Sequence, residues 1–279
     1  MLLNKLSTVA IPLIFLIYLT TCSDANAPKY IAPASAITLY SSSNLLGHTV
    51  NPECNPGGTT SCECTASDVA LNSNADYGIV TANSNETNTW VNAIGTKQFL
   101  ESFPNGTNIS LGTYKYSYQV KLPNTPLADI TQRSNPQAVH LMIQLWDGRN
   151  ALWNANKWTA EAAIYWSLNP WESTYGKLFI YTTNLQLYNT GITITPDNQW
   201  HTFELIANFE TRKYVSITID GQTIDLTNID LCLVEHTDWG NEVAINITTE
   251  SESTYPGDAT CSTIFTWSTY FRNIQFIKI

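Results

Sequence analysis

Charge is scarce in this chain of 279 residues: 13% of positions are Asp, Glu, Lys or Arg, where an ordinary globular domain has about a quarter. Positive charge is scarcer still, with 13 Lys and Arg against 23 Asp and Glu and a net charge of −10. Nucleic acids and anionic membrane surfaces are held by basic patches, so this balance argues against both as partners. Internal repeats, heptads and long amphipathic helical stretches are also missing. So are a P-loop, a dinucleotide fingerprint, a Gly-x-Ser-x-Gly elbow and a His-Glu-x-x-His pair. Nucleotide, serine-hydrolase and zinc-protease chemistry therefore lack their motifs, and no cofactor is expected. Low charge does not mean disorder here. With 43% apolar residues, 9 Trp, 14 Tyr and 9 Phe, the chain has ample surface to pack into a core.

The N-terminus carries Lys5, a short apolar run from Val9 to Leu19 and the small-x-small triplet Ala25-Asn26-Ala27. That order predicts a secretory signal over residues 1–27, removed to leave Pro28 first. The alternative is a degenerate lipoprotein box, Leu19-Thr20-Thr21-Cys22, with a lipid anchor at Cys22; beyond that no membrane contact is expected. Export favours disulfides. Cys54, Cys62 and Cys64 share one Pro/Gly/Thr-rich loop, so a local bridge to Cys54 is expected, while Cys232 and Cys261 have the option of closing a longer loop.

Beyond the signal, period-two alternation recurs between Asn, Gly, Pro and Asp punctuation. It predicts strands over Thr113–Leu122, Ala138–Asp147, Ala160–Leu168, Lys177–Thr183, Trp200–Phe209, Lys213–Asp220, Glu242–Glu250 and Arg272–Ile279, with a hairpin turn at Asp220-Gly221. Many short strands without helices predict an all-β antiparallel sandwich or barrel over residues 67–279. Residues 28–66 read as an N-terminal extension packed on it. Val139, Leu141, Ile143 and Leu145 form one unbroken apolar face, opposite His140, Met142, Gln144 and Trp146. Val243, Ile245 and Ile247 likewise back Asn246, Thr248 and Glu250, and Ile164 and Trp166 back Glu161 and Tyr165. One core face and one polar-aromatic face suit a sheet whose outer side is a ligand groove.

The segment WHTFELIANFETRKYVSITIDGQTIDL and the closing FRNIQFIKI resemble the last strands of concanavalin A-like lectin/glucanase domains. The resemblance implies a jelly-roll β-sandwich with a concave sugar-binding face. It does not choose among lectins, glycoside hydrolases and polysaccharide lyases.

Trp146, Trp153, Trp158, Trp166 and Trp171 fall within one short stretch among Asn, Asp, Glu and Tyr. Exposed aromatic rings beside amides and carboxylates suit the apolar faces of pyranoses. The competing reading is core packing, which Trp166 favours through the face it shares with Ile164. For elimination, His140 would be the base and Tyr165 the acid, with Gln144 neutralising a uronate; Lys177 and Arg149 would supply local positive potential. For hydrolysis, Glu250 or Glu161 would serve, although the Glu-x-Asp-x-Glu strand of jelly-roll glucanases is absent. Glu250 and Glu252 would share a face if their strand continues, but SESTYPGD reads as an exposed loop. His201 reads as a packed structural histidine beside Phe203. The acidic loop from Glu235 to Glu242 has the oxygen-rich character of a Ca²⁺ site, but its spacing matches no established calcium loop. The expectation is a secreted protein that binds a polysaccharide along a groove of His140, Gln144, Trp146, Glu161, Tyr165, Asn246, Thr248 and Glu250, with cleavage as a glycoside hydrolase or polysaccharide lyase left open. The alternative is a non-catalytic, lectin-like glycan-binding or adhesion module.

Overall fold

A computed structural model describes residues 36–56, 64–85, 88–124, 129–146, 158–235, 242–253 and 263–279. The signal segment, Cys22, Cys62, Cys261, Arg149, Trp153 and the acidic loop 236–241 lie outside the described residues, as do the side chains of Trp146 and Trp158. Among the described residues no helix is long and apolar enough to cross a membrane.

Among the described residues sixteen strands follow one another: β1 (Ile37–Ser42), β2 (Thr49–Pro56), β3 (Val69–Ser73), β4 (Gly78–Asn85), β5 (Asn88–Leu100), β6 (Thr113–Lys121), β7 (Ser134–Trp146), β8 (Trp158–Ser167), β9 (Lys177–Thr182), β10 (Gln186–Thr193), β11 (Trp200–Asn208), β12 (Lys213–Ile219), β13 (Gln222–Asp225), β14 (Cys232–Glu235), β15 (Glu242–Ser253) and β16 (Thr263–Lys278). They build two antiparallel sheets of eight. One runs β13-β12-β11-β6-β16-β4-β3 with β1 also on β16; the other runs β10-β9-β8-β7-β15-β5-β2 with β14 also on β8. The molecule is an antiparallel jelly-roll β-sandwich. Residues 37–56 supply a strand to each sheet, β1 beside β16 and β2 beside β5.

The core lies between the sheets and follows the alternation. Val139, Leu141, Ile143 and Leu145 of β7 are fully buried, as are Val243, Ile245 and Ile247 of β15. The other sheet answers with aromatics: Tyr114, Tyr116 and Tyr118 of β6, Phe203 of β11 and Phe276 of β16. Trp166 meets Phe203 across the sandwich at 5.5 Å between ring centres and donates its Nε1 hydrogen to Ile194 O at 2.9 Å, so this tryptophan is core. Gly95 makes room for that packing, since a Cβ there would stand 3.1 Å from Ile247 Cγ1 and 3.5 Å from Val80 Cγ2. The predicted hairpin forms between β12 and β13, with Asp220 and Gly221 both at positive φ, 48° and 85°, as a tight primed turn requires.

His201 packs edge-on to Trp166 at 6.0 Å and holds Asp220 at 2.7 Å and Asp197 at 3.1 Å. Burial works against the imidazolium, but hydrogen bonds and charges from Asp220 and Asp197 outweigh it and raise the His201 pKa. Its structural role stands. Cys54 and Cys64 form the local disulfide. The longer loop through Cys232 does not close: Cys232 is a buried free thiol.

One contact ties the two layers at a gap. The free edge of β8 pairs with β9 at Ile164–Trp166 and with β14 at Trp158–Glu161. At Ala163, beside the junction, the phenol of Tyr214 reaches over from β12. It accepts the Ala163 N–H at 2.9 Å and donates to Tyr181 O at 2.6 Å.

Candidate functional site

The outer face of the β7 sheet is a groove of about 670 Å³. Register sets its floor. On β7, His140 lies between Thr248 of β15 and Tyr165 of β8; Met142 lies beside Asn246; Gln144 lies between Ala244 and Glu161. Glu250 follows two residues after Thr248 and shares its face. Seven of the eight residues expected to form the site therefore do share one face. Trp146 ends β7 opposite Glu242, with its side chain outside the described residues.

These polar groups point away from the hydrophobic core yet are shielded. Glu161, Glu250, Asn246 and Thr248 keep only 5%, 7%, 7% and 6% of their surface exposed. Burial of carboxylates on an outer face costs free energy unless partners compensate, and two clusters of partners are present.

In the first cluster, His140 Nε2 and Glu250 Oε2 are 2.8 Å apart. A carboxylate accepts, so the imidazole donates through Nε2 and, when neutral, carries its lone pair on Nδ1. Tyr165 lies edge-on at 5.0 Å and Tyr181 is stacked at 6.0 Å. Burial first, then the charges of Glu250, Glu252 and Glu172, push the Tyr165 phenol well above its ordinary range. Burial also raises Tyr181, helped by Tyr165 and Glu250. Both phenols are therefore proton donors rather than bases.

In the second, donation runs one way: Asn246 Nδ2 to Gln144 Oε1 at 2.6 Å, then Gln144 Nε2 to Glu161 Oε1 at 2.7 Å. Burial pushes the Glu161 carboxyl up to about 7, against the pull of the Gln144 hydrogen bond.

The structure separates what the sequence left loosely grouped. Glu161 is level with Gln144 and Glu250 with Ala138, six residues along β7, which is about 20 Å at the usual rise per residue. Paired carboxylates of glycosidases stand roughly 5–10 Å apart, so Glu161 and Glu250 do not form such a pair. Glu250 and Glu252 also differ from expectation. They lie on β15, which runs to Ser253 instead of breaking into an exposed loop, because both edges of that strand are paired, with β7 and β5, as far as Glu252. Asn169 donates to Glu252 at 2.9 Å. Burial raises the Glu252 pKa, with Glu250 and Glu172 adding to it.

Several groove residues escaped the sequence reading, among them Tyr181, Trp90 and Asn92. Tyr181 was within reach, since Lys177, Phe179 and Tyr181 alternate with buried Leu178 and Ile180. The same alternation puts Lys177 on the groove side of β9. Trp90 and Asn92 alternate with Val91 and Ala93 on β5, a strand that the small residues Ala93 and Gly95 conceal from a hydrophobic pattern. Trp171 is exposed on the loop after β8. Among the described residues no cluster of three or more His, Cys, Asp or Glu is arranged to hold a metal ion.

No protein-family model and no curated protein matches the sequence. Solved structures do. An endo-β-1,4-glucuronan lyase from the fungus Trichoderma reesei aligns over 87% of this chain and 96% of its own, with 10% identity and a TM-score of 0.47. Peanut lectin aligns over 88% and 98%, at 9% identity and a TM-score of 0.42. A Bacillus licheniformis β-glucanase aligns over 83% and 92%, at 13% identity and a TM-score of 0.39. The two eight-stranded antiparallel sheets make the fold a jelly-roll β-sandwich, the architecture that the resemblance implied. Likenesses this distant say nothing of activity, and a jelly-roll sandwich carries whatever chemistry its groove residues supply.

Proposed function

We propose that the groove binds a polysaccharide and cleaves it by β-elimination. One observation carries this: His140, anchored through Nε2 by Glu250, stands against two phenols that burial keeps protonated. His140 takes the proton α to a uronate carboxyl through Nδ1. The electron pair forms the ring double bond as the glycosidic C–O bond breaks, and Tyr165 or Tyr181 gives a proton to the departing oxygen. The amides of Gln144 and Asn246 bind polar groups of the sugar, and Trp90 offers a ring for stacking. The Cys54–Cys64 bridge supports an oxidising compartment, in keeping with export by a signal cleaved before Pro28 or an anchor at Cys22.

Incubation with neutral and acidic polysaccharides, read by product mass, tests the reading. Fragments one water lighter than hydrolysis products are expected. His140→Ala should abolish turnover while retention on the polymer stays nearly unchanged; equal loss of both removes the base role. A second reading, a non-catalytic neutral-glycan module, draws on the carboxylates Glu53 and Glu161 among the groove's lining, which repel a uronate. Retention without any cleavage would establish it, and saturated fragments would move attention to Glu250 and Glu252.

A further inference from the structure

The opposite sheet carries a second polar concavity that the groove chemistry does not use. Trp200 of β11, Lys121 of β6 and Tyr270 of β16 lie side by side in one row of the ladder. Lys121 Nζ sits 5.3 Å from the Trp200 ring centre and 4.8 Å from that of Tyr270. Arg272 lies over Trp200 at 4.1 Å, and Tyr77 closes the cluster at 5.4 Å from Tyr270. A bulge in β16 breaks the register between Arg272 and Gln275, with Asn273 in the left-handed region at φ 53°. The bulge turns Arg272 and Asn273 toward a common anchor, Gln119 Oε1, at 2.8 and 2.9 Å. The result is a cavity of about 390 Å³ lined by Tyr77, Lys121, Trp200, Arg272, Asn273 and Asp76.

Two features separate this cluster from ordinary surface. On the same sheet, Lys115 holds Glu204 and Lys213 holds Asp230, whereas neither Lys121 nor Arg272 has a carboxylate partner among the described residues. In a chain of net charge −10, two cations set against ring faces, with an amide oxygen of Gln119 as Arg272's further partner, form a local positive spot. Cation–π contact orients a cation without neutralising it, and the guanidinium fork remains suited to a planar anion.

We propose that this cluster is a second glycan site, which takes the carboxylate or sulfate groups of an anionic polysaccharide, with Arg272 and Lys121 meeting the anion and Tyr77 and Tyr270 meeting the ring. It stands on the sheet opposite the groove and is independent of the groove's activity. A nucleic acid fits less well, because tracking a phosphate backbone takes a row of cations and Asp76 sits at this rim.

Native affinity gels cast with polygalacturonate, dextran sulfate or neutral dextran test it on the intact protein. Retardation by one or both polyanions is expected, and which of them acts tells carboxylate from sulfate recognition. The K121Q/R272Q double variant should weaken that retardation about tenfold or more, and roughly 0.5 M sodium chloride should remove it. Asp76→Asn, which deletes an exposed rim charge, should strengthen retardation and keeps the test open should the double variant fold poorly. Retardation unchanged in both variants overturns the proposal. So does retardation by single-stranded DNA with none by either polyanion, or no retardation at all.

Discussion

The outer faces of the two sheets are built from the same alternating pattern yet hold their polar residues differently. On the β7 sheet the outward Glu161, Glu250 and Asn246 are nearly as buried as the core, and each is bonded to a neighbour on that face: His140 to Glu250, Asn246 to Gln144, Gln144 to Glu161. On the β6 sheet the outward pairs, such as Lys115 with Glu204 and Thr81 with Ser268, stay partly open to water. Alternation therefore marks which side of a strand faces outward. Burial of the outward polar groups marks which outward side is the candidate site.

The contrast between inner and outer faces breaks hardest at Trp166. Trp166→Ala should cost about 3–5 kcal/mol, the usual range for emptying a buried tryptophan site, and urea melts would read it. A loss below 1 kcal/mol would remove this tryptophan from the core. Glu161 comes next. Its folded pKa of about 7 lies above the ordinary 4.5, so the native state binds the proton more tightly than the unfolded chain. The stability this contributes is present in full below about pH 4.5 and is lost as pH rises through 7, at up to about 1.4 kcal/mol per unit. Glu161→Gln should flatten melting temperature between pH 5 and 8; an unchanged slope would show that Glu161 is solvated.

His201, on the other sheet, has the same sign. Its raised pKa gives stability that is present below about 6.5 and lost above it, smaller because Asp197 and Asp220 are exposed to screening water. His201→Gln should remove a shallow decline above neutrality, one that high salt also reduces. Smallest of all is Thr81→Ala, expected within about 0.5 kcal/mol, since what it removes is a part-buried hydroxyl pair with Ser268 at 2.8 Å. A larger effect would give the outer face of the β6 sheet more weight than its exposure implies.

Much of the sandwich was legible because β7, β8 and β15 keep strict alternation, which fixes faces without any knowledge of neighbours. Register is a different matter. That Glu161 lies level with Gln144, far along the sheet from Glu250, depends on which strands pair and where they begin, and alternation is silent on both. Strands β1 to β5 were harder to see, since Pro52, Gly78 and Gly95 interrupt their apolar runs. Glu250 and Glu252 looked exposed because Ser and Glu favour loops locally, but pairing on both edges keeps β15 extended through them. Tyr181 could have been found by counting alternate residues from Lys177, and Trp90 only by knowing that β5 lies beside β15.

The phenol of Tyr214 gives the sandwich a mechanical link as well as a bond. Its oxygen stands in for a missing rung where β8 changes partners, and the carbonyl it holds belongs to the residue that stacks on His140. A single atom from the far layer thus clamps the floor of the groove. Loosening β12 would be felt first as play in Tyr181, so the back of the molecule sets how firmly the front is held in shape.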